Sequence, residues 1–200
     1  MPVKSPDLHG NVPDDSPVAL LLIDVINDLE FDAGTALLPD ARAAAERIAA
    51  LKRRCRAAGI PAVYVNDNFG RWRSDLRTLV RHCLDDGVRG RPLCELLRPD
   101  DEDYFVLKPK HSGFYSTTLE LLLHHLRAHT LIVTGLTAEG CVLFTANDAF
   151  MRDFQLVVPS DCVASADPAD RRRALEHMER VLHADVRASV DLDPRALARR

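Results

Sequence analysis

The chain reads as an α/β fold: a mainly parallel β-sheet covered by helices on both faces, in three αβα layers. Three observations carry that reading. "VALLLI", Val18 to Ile23, is continuously apolar rather than alternating, the pattern of a strand buried on both faces. Short apolar runs alternate with longer segments whose apolar residues recur at three and four positions, which implies βαβ crossovers. Two hundred residues fit a single domain, and there is no internal repeat.

The elements follow in order. An N-terminal arm is expected over residues 1–16, a domain over 17–192 and a short Arg-rich tail over 193–200. After the first strand a helix is expected from Ala41, because Ala44, Ile48, Leu51, Cys55 and Ala58 form one stripe that "GIP" terminates. Strand "AVYVND", a helix from Ser74 to about Asp85, an acidic loop "RPDDED" and strand "YFVLKP" come next. A helix running "LELLLHHLRAH" precedes strand "TLIVTGL". The helix after Cys141, strand "QLVVP" and helix "PADRRRALEHMERVLHADV" follow, with Pro168 suited to a first helical turn. "VRASVDL" is a candidate last strand.

Composition narrows the function. The formal net charge of -4 comes from 26 basic and 30 acidic residues mixed along the chain, which argues against a nucleic-acid or anionic-membrane surface and favours a small-molecule substrate. No apolar run approaches the roughly 20 residues of a membrane helix, and "MPVKSPDLHGNVPDDSP" lacks the apolar centre of a signal peptide. Five cysteines at irregular spacing, with no C-x-x-C pair, fit reduced thiols and a cytoplasmic location.

Ligands of open parallel sheets sit at the C-terminal strand ends. Asp24 in "LLLIDV", Lys108 in "YFVLKP" and Cys141 past "LIVTGL" stand there. Singly, each has a bland reading as loop cap, solvated terminus or buried small hydrophobe. Together they supply what thiol chemistry needs: a base for the proton, a cation or helix start for the thiolate, and donors for an oxyanion. Lys110 competes with Lys108, since alternate residues of an extended segment share a face, and spacing does not choose between them.

Three stretches resemble the isochorismatase-like cysteine hydrolases, the superfamily of nicotinamidases, N-carbamoylsarcosine amidase and ureidoacrylate amidohydrolase. "LLLIDVINDLEF" is similar to the D-x-Q-N-D-F opening, and "VLKPKHSGFYSTTLELLL" to K-P-x-x-S-x-F-x-x-T-x-L. "VTGLTAEGCVLFTANDAFMRDFQLVVPSDCVAS" matches the cysteine segment, in family order. The resemblance covers about Val18 to Ala166 and implies a six-stranded parallel sheet and an Asp24–Lys108–Cys141 triad, selecting Lys108 over Lys110. It also implies a cis peptide between Leu136 and Thr137, which turns the amides of Thr137 and Cys141 into an oxyanion hole. The reaction implied is amide hydrolysis through a thioester, with a homo-oligomer, dimer or tetramer, as the assembly. "LELLLHHL" is an interface candidate, although a core face explains its leucines equally well.

The chain also departs from the family. Nicotinamidases carry a metal on a D-x-H pair after the second strand, whereas this chain reads "NDNFGRW", with Phe69 at the histidine. No metal and no cofactor is expected, and a ureido or carbamoyl acid becomes a better candidate than nicotinamide. Ile26 replaces the opening glutamine. Substrate-contact candidates are Arg71, Trp72 and Arg73, with Phe31, Tyr115 and Phe114 as candidate pocket walls that read equally as core; His111 and Ser112 are undecided in the same way. Arg73 and Asp75 read equally well as solvating a helix start. Cys55, Cys83, Cys94 and Cys162 read as structural. Two other functions compete: isochorismatase-type vinyl-ether cleavage, which needs no cysteine, and a catalytically silent binding or scaffold role.

Overall fold

A computed structural model describes residues 15–69 and 75–199. The strands are β1 (Val18–Ile23), β2 (Ala62–Asp67), β3 (Tyr104–Lys108), β4 (Thr130–Leu136), β5 (Gln155–Val157) and β6 (Val163–Ala164). The helices are α1 (Gly34–Arg56), α2 (Leu76–Asp85), α3 (Arg91–Leu96), α4 (Leu119–His125), α5 (Leu143–Phe150), α6 (Pro168–Leu182) and α7 (Pro194–Leu197). The six strands form one parallel sheet in the order β3-β2-β1-β4-β5, with β6 on β4. The expected αβα architecture and strand number are both found.

The two-sided burial of β1 has a direct cause in its alternation. Val18, Leu20 and Leu22 join Tyr64, Ile132 and the α1 stripe Leu37, Ala41, Ala44, Ile48, Leu51 and Cys55 in one core. Ala19, Leu21 and Ile23 join Val63, Val65, Val106, Leu131 and Val133 in the other, under α4, α5 and α6. Each face removes its own set of apolar side chains from water, at about 1.5–3 kcal/mol per large residue. The middle strand therefore tolerates no polar residue until it ends at Asp24. On α4, Leu119 and Leu123 are buried while Leu121 is 70% exposed, so the leucine-rich helix is chiefly a core element.

Several expected boundaries are corrected. α1 begins at Gly34, seven residues before the periodic stripe, and carries Pro39 inside it. A proline this near the N-terminus removes few helical bonds, and Leu37 anchors the added turn in the core. α2 starts at Leu76, where the Asp75 side chain accepts from the Thr78 amide at 2.8 Å. α3, which the sequence did not suggest, is a six-residue helix with proline near its start. Its flank closes on the loop after β1: a Cβ on Gly90 would lie 1.8 Å from the Asn27 carbonyl. β6, two residues long, was equally invisible to periodicity.

"VRASVDL" is not a strand. Asp185 makes one isolated bridge to Val157, and Ser189–Asp191 is a 3-10 turn whose carbonyl Arg54 holds at 3.0 and 3.1 Å. The expected tail is instead ordered from Asp193, whose carboxylate accepts from the amides of Arg195 and Ala196 and caps α7. At the other end Ser16, which the sequence assigned to the arm, is buried, its amide donating to the Leu126 carbonyl at 2.9 Å. Among the described residues no helix is long and apolar enough to cross a membrane.

Candidate active site

Strand order reverses between β1 and β4, and register brings their C-terminal ends level: Ile23 pairs with Gly135 on one side and with Val65 on the other. Such a switch point opens a crevice. Gly135 has φ 118°, and a Cβ there would stand 2.0 Å from the Ile23 carbonyl oxygen, so only glycine lets β4 run this close to the base of Asp24. The Leu136–Thr137 peptide is cis. The chain then winds through a π-helical turn, Ala138–Val142, before α5 begins. Cys141 lies in that turn and is half-buried, whereas Cys55, Cys83, Cys94 and Cys162 are fully buried.

Three strands deliver the polar groups. Asp24 leaves β1 at φ 51°, a left-handed conformation that aspartate tolerates better than most residues. Its amide donates to Val65 at 3.0 Å, and its Oδ1 accepts from the Asp67 amide at 2.6 Å. Lys108, the last residue of β3, is 0% exposed. Its Nζ stands 2.8 Å from Asp24 Oδ2, 3.3 Å from Cys141 Sγ, 3.2 Å from the Lys110 carbonyl and 3.5 Å from Asp67 Oδ2. The Cys141 thiol lies near enough to Asp24 for each to shift the other's proton affinity. The choice that spacing left open is thus resolved by direction: Lys108 points at acid and thiol, while Lys110 is exposed and offers only its carbonyl.

Protonation follows from burial and mutual charge. Burial raises the Asp24 carboxyl above its ordinary range, against the opposing pull of Lys108 and the hydrogen bonds it accepts. Burial acts to lower Lys108, but its interactions with Asp24, Cys141 and Asp67 outweigh it and the net direction is up. The Cys141 thiol is pushed up to about 12 by burial and then by the Asp24 charge, Lys108 only partly compensating. Burial and the neighbouring Asp24 thus both favour the protonated thiol, and the pairing with Asp24 favours the Lys108 ammonium.

The other sequence candidates divide. Arg71, Trp72 and Arg73 lie outside the described residues. Phe31 and Tyr115 are 44% and 56% exposed, and so are surface residues rather than core. Phe114 is core, its ring tilted against Phe154 at 6.0 Å between centroids with Arg152 over its face. His111 is exposed and meets Phe144 edge-on at 5.3 Å, one helical turn after Cys141. Ser112 is a structural link, donating to Asp148 and accepting from the Phe114 amide at 3.1 Å. Ile26 is fully buried, and in place of a side-chain contact from that position, Asn66 clamps the loop: its Nδ2 donates to the Ile26 carbonyl at 2.6 Å.

Two contributors were missed from the sequence, Asp67 and Asn66. Both lie in "AVYVND", where they read simply as the polar end of a strand. A metal of the nicotinamidase kind does not fit: Phe69 has no donor atom to offer, and the Asp67 carboxylate is engaged by Lys108 and by the Phe69 amide.

The Isochorismatase domain family matches residues 18–188, and the chain belongs to that family. It is 40% identical over 168 residues to the uncharacterized isochorismatase family protein YaaI of Bacillus subtilis, covering 84% of this chain and 92% of that one. It is 30% identical to the maleamate amidohydrolase of Pseudomonas putida, covering 75% of this chain and 74% of the relative. The crystal structure of N-carbamoylsarcosine amidase from Thermoplasma acidophilum superposes with a TM-score of 0.67 at 30% identity, over 88% of this chain and 98% of that one. The share of a relative's own length that this chain spans falls as low as 54%, for the isochorismatase of Bacillus subtilis. The family read from the three motifs is the family found.

Proposed function

We propose that the protein is a metal-independent cysteine amidohydrolase that cleaves a C–N bond, other than a peptide bond, in a small amide, ureido or carbamoyl substrate. One observation carries this reading: Lys108 Nζ sits 2.8 Å from Asp24 and 3.3 Å from the one half-buried thiol, at the switch point of a parallel sheet. Relatives named as maleamate amidohydrolase and N-carbamoylsarcosine amidase support the reaction class. Five free cysteines support a reducing, cytoplasmic setting.

The chemistry balances on one carboxylate. Asp24 takes the Cys141 proton as Sγ attacks the carbonyl carbon, and the displaced π electrons settle on oxygen. The backbone amides of Thr137 and Cys141 receive that oxyanion, with Lys108 holding the local charge. Collapse breaks the C–N bond, and the departing nitrogen takes the proton from Asp24. A thioester remains. Asp24 then deprotonates water, hydroxide attacks the thioester, and the leaving thiolate recovers the proton.

The test is a screen of ureido and carbamoyl acids with wild-type protein and Cys141→Ala, joined to acid-quench mass spectrometry. Turnover that Cys141→Ala abolishes, with an acyl adduct on Cys141, is expected. Turnover that survives Cys141→Ala would overturn the mechanism in favour of a cysteine-independent hydrolysis.

A further inference from the structure

The Lys108 ammonium has three N–H donors but four acceptors within reach: Asp24 Oδ2 at 2.8 Å, the Lys110 carbonyl at 3.2 Å, Cys141 Sγ at 3.3 Å and Asp67 Oδ2 at 3.5 Å. Donation is therefore shared, and the fourth partner is a second carboxylate. Asp67 is held for this position twice over. Its pairing opposite Lys108 in the β2–β3 register brings it alongside, and its Oδ1 accepts from the Phe69 amide at 2.6 Å, which orients Oδ2 toward the ammonium. The same residue's amide clamps Asp24 Oδ1 at 2.6 Å. Its side chain remains 30% exposed at the crevice.

We infer that Asp67 is a positioning residue for the thiol: its carboxylate draws Lys108 away from Cys141 and adds a second negative charge, keeping the free protein's thiol protonated until a carbonyl arrives. The inference rests on the catalytic reading of Asp24, Lys108 and Cys141. Two carboxylates and one ammonium leave the site with a net charge of about -1 while Cys141 is a thiol, and a thiolate would raise it to about -2. Among the described residues the ionisable groups that bear on Lys108 are the carboxylates of Asp24 and Asp67 and the Cys141 thiol; Lys110 contributes its carbonyl, and its side chain is exposed. A thiol held protonated is also spared alkylation and oxidation between turnovers. The proton that Asp24 must receive is present when the substrate binds.

The full chain answers this without a substrate. The rate of Cys141 alkylation by iodoacetamide, with the label located by peptide mass spectrometry, is measured against pH for wild type, Asp67→Asn, Asp67→Glu and Lys108→Ala. Asp67→Asn keeps the backbone clamp on Asp24 and removes only the charge. Its inflection moves down by about one pH unit, so labelling at a fixed pH below it rises on the order of tenfold. Asp67→Glu, which keeps the charge, stays near the wild-type profile, and Lys108→Ala moves the inflection up. A wild-type profile in Asp67→Asn overturns the inference while a shifted Lys108→Ala leaves the catalytic reading standing. A shift that Asp67→Glu reproduces in full overturns it as well, since lost packing rather than lost charge would be the cause. If Lys108→Ala also leaves the profile unmoved, both readings fall.

Discussion

Two lysines are tucked against opposite ends of the same pair of strands, and only one stands beside a thiol. Lys52, from α1, reaches the N-terminal side, where its Nζ meets Asp103, Asp100 at 3.5 Å and the Tyr64 hydroxyl at 3.1 Å. Arg56 adds a further contact to Asp103 at 3.3 Å, and the cleft of about 570 Å³ that Lys52, Arg56 and Asp103 help to line has no thiol in its wall. Lys108, at the C-terminal side, has the same pairing with carboxylates and is more deeply buried, but the fourth member of its cluster is a half-buried thiol. Burial and ion pairing are thus common to both ends. What separates them is a polarisable thiol and a place at the switch point of the sheet, where the order of strands reverses.

The comparison is sharpest under paired substitution. Lys108→Ala is expected to lower hydrolysis of a substrate found in the screen by on the order of 10³-fold, since it removes a charge that touches both base and nucleophile. Lys52→Met leaves that rate within about twofold and instead costs about 2–3 kcal/mol of stability, read by urea unfolding. That is the low end for a broken buried pair, because Arg56 still reaches Asp103. Equal losses of activity in the two variants would erase the distinction.

Gly135→Ala tests whether the switch point itself matters. The positive φ and the approach to Ile23 leave no space for a methyl group, and a loss of about 3 kcal/mol is expected, with retained secondary structure by circular dichroism. A fully stable variant would show that the β1–β4 contact has slack.

Cysteine labelling separates proton affinity from turnover. Asp24→Asn removes a charge that holds the Cys141 proton on, so alkylation near pH 8 is expected to rise about tenfold even as hydrolysis is lost. Lys52→Met should leave labelling unchanged. Parallel loss of labelling and turnover in Asp24→Asn would mean that Asp24 generates the thiolate in the free protein.

The smallest effect concerns His82, whose ring nitrogens contact Asp86 at 2.7 Å and Asp28 at 3.1 Å and whose folded pKa those bonds raise. A raised pKa contributes stability that is fully present below the unfolded value of about 6.5 and fades as pH rises through the folded value. With a third of the side chain exposed, the contribution is at most about 1 kcal/mol. Urea midpoints at pH 5.5 and 8.5 should converge in His82→Gln; an unchanged difference would assign the pH dependence elsewhere.

Much of this was legible locally. The three motifs placed Asp24, Lys108 and Cys141 because each follows an apolar strand in one linear stretch, and the stripe of α1 was plain from Ala41 onward. α3 and β6 were hidden because six and two residues are too short to show a period. Pro39 hid the first turns of α1, since a proline inside a helix normally argues against one. Asp67 and Asn66 were hidden for another reason: nothing within "AVYVND" says which strand lies alongside it.

The amino-acid sequence by itself determined the layered α/β class, the two-faced burial of β1 and the family, because hydrophobic period and motif spacing are properties of contiguous residues. Tertiary structure alone decided how closely Lys108 approaches the acid and the thiol, that Asp67 is a second carboxylate on it, and how deeply the three groups are withdrawn from water. Those outcomes depend on distances between atoms at the ends of three strands and on the water excluded around them, and electrostatic free energy is set by separation and dielectric rather than by order along the chain.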